Sequence, residues 1–303
     1  MTTIQQMFFA TANSFEGFPF SSFTFTNGGA TGRNGPTSFA SVSGYTSQSW
    51  YSTYFSVSFG IQYWTAPATG SYTITAAGAA GHGGIFVNKC RGIIINSTVT
   101  LTQGVQYKIL VGQMGTVYTG GSGGGGGGTF MTTTGNSPII VAGGGGGSIN
   151  YNSTFDTTVY FRSDGQFESY GEYSNDGSGS GGSGGYGGTG SANGWGSGGG
   201  GFFGNGTAAA NAAGYGYSGL GLSFLNGGTG GNTATSAFGG FGGGAGTHGN
   251  TGGGGGGGGY SGGGGSNQNF IDSTAGGGGS YGVNAITNAG YNKGHGYITI
   301  TKV

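Results

Sequence analysis

Charge is what this chain has least of. Its 303 residues include seven basic and seven acidic side chains, a net charge of zero, where an ordinary domain is roughly one-quarter charged. Without a basic excess there is no electrostatic footprint for nucleic acid or an anionic lipid surface. The basic residues are scattered and form no RGG repeat. Cysteine occurs once, at Cys90, which excludes a disulfide framework within the chain and a multi-cysteine zinc site. Four prolines and the lack of an unbroken G-x-y register exclude a collagen triple helix. No stretch approaches about 18 consecutive apolar residues, so membrane insertion is not expected. The first ten residues have neither a basic n-region nor a long apolar h-region and do not read as a secretory signal.

Catalytic motifs are equally scarce. Lys89, Lys108, Lys293 and Lys302 follow Asn, Tyr, Asn and Thr, so no P-loop is formed, since that motif needs Gly before its Lys. G-x-G-x-x-G and the G-x-S-x-G at residues 181–185 carry no information at this glycine content. His82, His248 and His295 are far apart, each beside Gly, and read as caps or surface residues rather than zinc ligands. The chain is therefore expected to be no enzyme and to hold no cofactor.

Glycine is what the chain has instead: 84 residues, only eight of them before residue 77, so that the other 76 make up about one-third of the remainder. The first region alternates apolar and polar residues with period two, the mark of half-buried strands. Phe18, Phe20, Phe23 and Phe25 alternate with polar residues, and residues 54–59, 61–64 and 71–75 follow suit. Further strand candidates are residues 93–101, 105–111, 138–142 and 297–301. Helix is nearly excluded, because each internal Gly costs about 1 kcal/mol relative to Ala.

Glycine runs at 123–128, 143–147, 198–201, 252–259, 262–265 and 276–279 suit a bundle of threefold polyglycine helices. That geometry makes no internal hydrogen bonds and rises ~3.1 Å per residue, so every backbone polar group must find a partner on a neighbour. A net ~0.5–1.5 kcal/mol per bond against ~1–2 kcal/mol of backbone entropy per residue is a close balance, so the bundle needs a clamp. Phe130, Tyr186, Trp195, Phe202, Phe203, Phe238, Phe241, Tyr260 and Tyr281 lie between the runs and are candidates to seal it.

Several segments outside the glycine runs resemble a known family. Residues 60–74 (GIQYWTAPATGSYTI), 78–81 (GAAG), 107–115 (YKILVGQMG), 138–147 (PIIVAGGGGG), 257–260 and 294–300 (GHGYITI), with 32–37 (GRNGPT) upstream, are collinear. Together they are similar to the glycine-rich ectodomain region of the anaplastic lymphoma kinase and leukocyte tyrosine kinase receptors. The resemblance implies an all-β fold: a jelly roll like that of tumour necrosis factor, carrying an inserted bundle of left-handed polyglycine helices. It implies residues 1–22 as an N-terminal arm, 23–76 as the first jelly-roll strands and 294–303 as the closing strand. Residues 77–293 would be the bundle with strands at 93–111 and 138–142 interleaved. The receptor regions hold several cysteines and this chain one, and no kinase accompanies it, so receptor signalling is not carried over.

The one charge concentration is acidic. Asp156, Asp164, Glu168, Glu172 and Asp176 are five of the seven acids within 21 residues, in a glycine-poor stretch expected to protrude as a loop or hairpin over 149–176. Asp164, Glu168, Glu172 and Asp176 are the candidate partner contacts, because loops on rigid scaffolds carry function disproportionately. Calcium binding through carboxylates is conceivable there, but no EF-hand spacing is present. Asn96, Asn152 and Asn205 head N-x-[ST] sequons and are candidate glycan acceptors, though such sequons arise by chance in a chain this rich in Ser, Thr and Asn.

The composition favours a structural protein, a building block of an external assembly such as a virion surface, fibre or extracellular filament. Near-zero net charge promotes association, and jelly rolls recur in capsid proteins and lectins. Partners would then be further copies of the chain or other structural proteins. The alternative is an adhesin or recognition head that binds a host protein or glycan. A disordered condensate former and an ice-binding bundle are weaker readings.

Overall fold

The computed structural model describes residues 17–82, 90–118, 121–149, 162–212, 214, 216–248, 253–267 and 273–303. Among these described residues, eleven strands form two antiparallel sheets. In chain order they are β1 (Ser22–Phe25), β2 (Phe55–Ser58), β3 (Ile61–Thr65), β4 (Gly70–Ala77), β5 (Gly92–Leu101), β6 (Gln106–Leu110), β7 (Thr129–Thr133), β8 (Pro138–Ala142), β9 (Tyr281–Gly282), β10 (Ile286–Asn292) and β11 (Tyr297–Lys302). One sheet runs β1-β11-β4-β5-β10 and the other β2-β3-β6-β7-β8-β9. The helical elements named among the described residues are short: α1 (Ser43–Thr46), α2 (Tyr51–Tyr54) and a 3-10 turn at Phe224–Asn226.

Period-two alternation does what the sequence requires of it. Tyr72, Ile74 and Ala76 of β4, Ile93 and Ile95 of β5, and Ile298 and Ile300 of β11 point into one core with Trp64, Ile109, Met131 and Ile140 of the facing sheet. The result is a β-sandwich of jelly-roll type, with β1 and β11 closing the chain's two ends onto each other through Phe25↔Ile298 and Phe23↔Ile300. Phe18 and Phe20 pack on this core as well, stacking with Tyr54 at 5.0 Å and approaching Trp64 at 5.1 Å. Of the expected arm, Phe18 and Phe20 thus belong to the sandwich, and residues 1–16 lie outside the described residues.

The six-stranded sheet is covered on both faces along β6, β7 and β8. Successive residues of β6, β7 and β8 alternate between two cores, with Ile109, Met131 and Ile140 in the sandwich and Leu110, Phe130 and Val141 in a second cluster with Phe202, Phe224 and Phe241. A strand buried on both faces reads as a continuous apolar run, and β8, Pro-Ile-Ile-Val-Ala, is one.

From one end of the sandwich the strands continue as glycine threads. Their hydrogen bonds recur every third residue. Gly255 and Gly258 donate to Gly123 and Gly126, Gly256 and Gly259 to Ser197 and Gly200, and Gly257 and Tyr260 to Gly276 and Gly279, at 2.8–3.2 Å. The same thread accepts from Gly144 and Gly147, from Gly263 and Ser266, and from Ala245. A partner that returns after three residues is the signature of three residues per turn. The thread at 254–260 therefore donates to three segments running parallel to it and accepts from three others. Its packing tolerates no side chain, since a Cβ on Gly255, Gly256, Gly257 or Gly258 would lie 2.0–2.3 Å from a neighbouring carbonyl oxygen.

Candidate functional site: a tyrosine-lined groove and an aromatic patch

Only the second part of the glycine-poor stretch expected to protrude over 149–176 is described. Its first residues, 150–161, which include Asn152 and Asp156, lie outside the described residues. From Arg162 onward the backbone is woven into the bundle. Ser163 O accepts from Gly146 N, Gln166 N donates to Gly278 O, Glu172 N to Gly277 O and Asn175 N to Thr274 O. In a threefold helix two rows of residues can bond inward while the third faces out, so a segment with few glycines still joins the bundle at its rim.

The four acids named from sequence take two different roles. Asp164 is buried against Arg91, with the guanidinium Nε and Nη2 donating to Oδ1 at 3.2 Å and Oδ2 at 2.5 Å, and the Arg91 amide donating to Oδ1 at 2.8 Å. Burial holds the Asp164 carboxyl above its ordinary value although the Arg91 donors pull it down, and donating to Asp164 raises the guanidinium. Arg91 also lies 4.1 Å over the Tyr291 ring of β10.

Asp176 is a second fastener. Its Oδ1 accepts from the hydroxyls of Ser174 and Ser178 and the Ser178 amide, and its Oδ2 accepts from the Asn267 amide and the Ser273 hydroxyl, at 2.6–3.0 Å. Burial raises this carboxyl, but these donors outweigh it and hold the group below its ordinary range. Both carboxylates are occupied by N–H and O–H donors, so the calcium expectation finds no ligand set here. Among the described residues no group of three His, Cys, Asp or Glu side chains could hold a metal.

Glu168 is exposed and Glu172 half-buried, and Glu172 helps line a groove of about 580 Å³ with Tyr170, Gly171, Tyr173, Gly177 and Ser180 to Ser183. Gly171 N and Ser174 N donate to Gly182 O and Gly179 O, while Glu172 N and Asn175 N bond to the 274–277 segment. Those are the two inward rows. The third row carries Tyr170 and Tyr173, which are 47% and 40% exposed. Arg162 sits 3.8 Å over the Tyr173 ring. Glu168, then slight burial, then Glu172 raise the pKa of the Tyr170 hydroxyl. Ser183, the serine of the G-x-S-x-G match, lines this groove ahead of a turn in which Gly184 and Gly185 both have positive φ, so it does not sit on a strand-to-helix elbow.

A second exposed feature adjoins the end of the bundle. Phe203 N donates to Gly185 O and Leu225 N to Phe202 O, so the backbone brings the exposed residues Tyr186, Phe203 and Leu225 near the buried pair Phe202 and Phe224, stacked at 5.0 Å, with Phe203 edge-on to Phe202 at 4.9 Å. Tyr260, 6.4 Å from Phe203, stacks on Tyr281 at 4.6 Å. Of the aromatics expected to seal the bundle, Phe130, Phe202 and Phe241 do so, while Tyr186 and Phe203 face outward. Phe224 joins them without having been singled out by its sequence context.

The histidines have separate surroundings. His82 is buried, which lowers its pKa to about 4. His295 accepts from the Met114 amide at Nδ1, and burial lowers its pKa too. His248 lies 4.8 Å from the Trp195 ring. Of the sequons, Asn96 sits mid-strand in β5 between Thr75 and Thr287. The Asn205 Oδ1 accepts from Ser223 N and Asn226 Nδ2, bracing the 3-10 turn. Among the described residues no helix is long and apolar enough to cross a membrane.

No family model matches the chain. Over 95 residues it is 38% identical to the mouse leukocyte tyrosine kinase receptor, a stretch covering 30% of this chain and 11% of the receptor. The relation is distant and partial, and it falls on the receptor family that the sequence motifs resemble.

Proposed function

We propose that this chain is a non-enzymatic structural protein, a building block of an external assembly such as a virion surface, a fibre or an extracellular filament. The observation that carries the reading is the aromatic patch of Tyr186, Phe203 and Leu225, set on a rigid bundle and exposed although Phe202 and Phe224 beneath it are buried. Exposed apolar patches rimmed by polar residues mark interaction sites, and a chain with no net charge offers little electrostatic resistance to association. The external location is supported by the partial likeness to a protein named as a receptor. Sedimentation velocity with negative-stain electron microscopy tests it. Wild-type protein forms regular higher-order species as concentration rises, and the Phe203→Ser, Leu225→Ser double variant stays monomeric. A wild-type chain that remains a monomer at high concentration refutes the proposal.

The second reading, a recognition head, is favoured by the groove. Tyr, Ser and Gly are the residues that dominate antibody binding loops, where rigid tyrosines supply contact area at low entropic cost. The groove is lined by these three types and one glutamate.

A further inference from the structure

We infer that the groove between residues 170–174 and 179–183 docks an extended, positively charged peptide in the polyproline II conformation, with Arg or Lys recurring at every third residue. The inference rests on the recognition reading, not on the assembly reading.

Periodicity is the first argument. Tyr170 and Tyr173 stand on the one outward row of a segment whose other two rows are tied to 179–182 and 274–277. One turn of such a helix rises ~9 Å, and a polyproline II ligand rises by the same amount per turn. Equivalent side chains of the ligand, three residues apart, therefore keep register with this row, one at the Tyr170 ring and the next beside the Tyr173 ring that Arg162 already covers on one face. Aromatic grooves of this kind bind such ligands because the ligand is already extended and loses little entropy.

Charge gives the sign of the ligand. Glu168 and Glu172 are two of only seven acids in the chain, and both act on the Tyr170 hydroxyl. Asp164 and Asp176, by contrast, are spent on internal donors. The chain also supplies its own precedent, since the Arg162 guanidinium lies 3.8 Å over Tyr173. Tyr170, one turn earlier and more exposed, offers a ring to a guanidinium or ammonium from outside, with carboxylates beside it to complete a cation–π and ion-pair site.

The test is fluorescence anisotropy of a labelled peptide of Pro-Pro-Arg repeats titrated with the full chain, at low and high salt. Pro-Pro-Glu repeats and chitohexaose serve as competitors. The expected result is saturable binding that weakens with salt and is not displaced by either competitor. Tyr170→Ala lowers the affinity about tenfold, and Glu172→Gln reduces the salt dependence. Both positions are at the surface, and unchanged thermal melts establish that the variants fold.

Four results overturn the inference, the first three seen in the binding titration. These are no saturable binding, displacement by chitohexaose (which makes the groove a glycan site), and an affinity indifferent to Tyr170→Ala. Dissociation of wild-type oligomers by Tyr170→Ala also overturns it, because the groove is then a contact between copies. Failure of the assembly reading is seen separately, in the sedimentation of wild-type protein.

Discussion

Replacing Gly256 by alanine tests whether backbone packing alone holds the bundle. The residue lies at the middle of the 254–260 thread. Its amide donates to Ser197 O at 2.9 Å and its carbonyl accepts from Ala245 N at 2.8 Å. A Cβ there would lie 2.1 Å from Gly263 O and 2.7 Å from Gly199 N, so threads on two sides must move. Forcing a methyl into a filled interior costs about 1–3 kcal/mol, and weakening the two hydrogen bonds adds about 0.5–1.5 kcal/mol each. Against this, alanine restricts the unfolded chain and returns about 0.4–1 kcal/mol. The net expectation is a loss of about 3 kcal/mol. At an unfolding entropy of ~2.1 cal/mol/K per residue over the whole chain, that lowers Tm by about 5 °C. Gly44→Ala is the matched control. Gly44 is exposed in α1, with nothing within 4 Å of its would-be Cβ, and alanine's helix propensity makes this change neutral or stabilising by up to about 1 kcal/mol. Differential scanning calorimetry of the two variants decides. If Gly256→Ala melts with or above the wild type, the close-packed account of the glycines is wrong.

Three further outcomes follow from particular groups. Asp164→Ala leaves Arg91 without its buried partner and is expected to cost about 3 kcal/mol, read as a lower urea midpoint at constant slope; an unchanged midpoint would falsify the clasp. His82 is held neutral by burial, with its pKa near 4 against an ordinary 6.5. The unfolded chain therefore binds more protons between those values, and stability is fully present above pH 6.5 and falls as pH drops towards 4, by on the order of 3 kcal/mol. His295 adds to the same slope, and His82→Gln flattens it; a melting temperature constant from pH 7 to pH 4.5 contradicts the assignment. Phe59, 93% exposed, occupies a left-handed conformation at φ 49° ahead of Gly60 in the β2–β3 turn. Phe59→Asn supplies the residue this turn prefers and raises stability by about 1 kcal/mol, and a chemical denaturation curve shifted the other way would show that the aromatic ring is held by something else.

Much of the sandwich was legible from residue order because its strands alternate. β3, β4, β5, β6, β8 and β11 fall within a few residues of the segments that period two and apolar runs indicate. β7, β9 and β10 were not legible. β7 is five residues long and four of them are buried, so it shows no alternation. β9 has two residues. β10 is an exposed edge, with Thr287, Asn288, Ala289 and Gly290 at its centre and a register shift at Asn288/Gly290. Its strand character comes from pairing with β5 and not from burying side chains. The acidic stretch was legible from composition, and of its four candidate contacts Glu172 lines the groove while Glu168 acts on the Tyr170 hydroxyl. Nothing in residue spacing separated them from Asp164 and Asp176, whose donors arrive from Arg91 and from residues 267 and 273. The Tyr170/Tyr173 pair carried a usable signal, an i, i+3 spacing that acquires meaning only for a helix of three residues per turn.

The thread at 254–260 and its neighbours also make the two halves of the molecule thermally unlike. Unfolding the sandwich exposes apolar surface, which raises heat capacity by ~0.45 cal/K/mol/Å², whereas unfolding the glycine threads exposes peptide groups, which lower it by ~0.26 cal/K/mol/Å². The sandwich has the strongly curved stability profile of an ordinary hydrophobic domain and weakens on chilling. The bundle's profile is flatter, so in the cold the backbone lattice is the part that holds and the aromatic core is the part that gives way first.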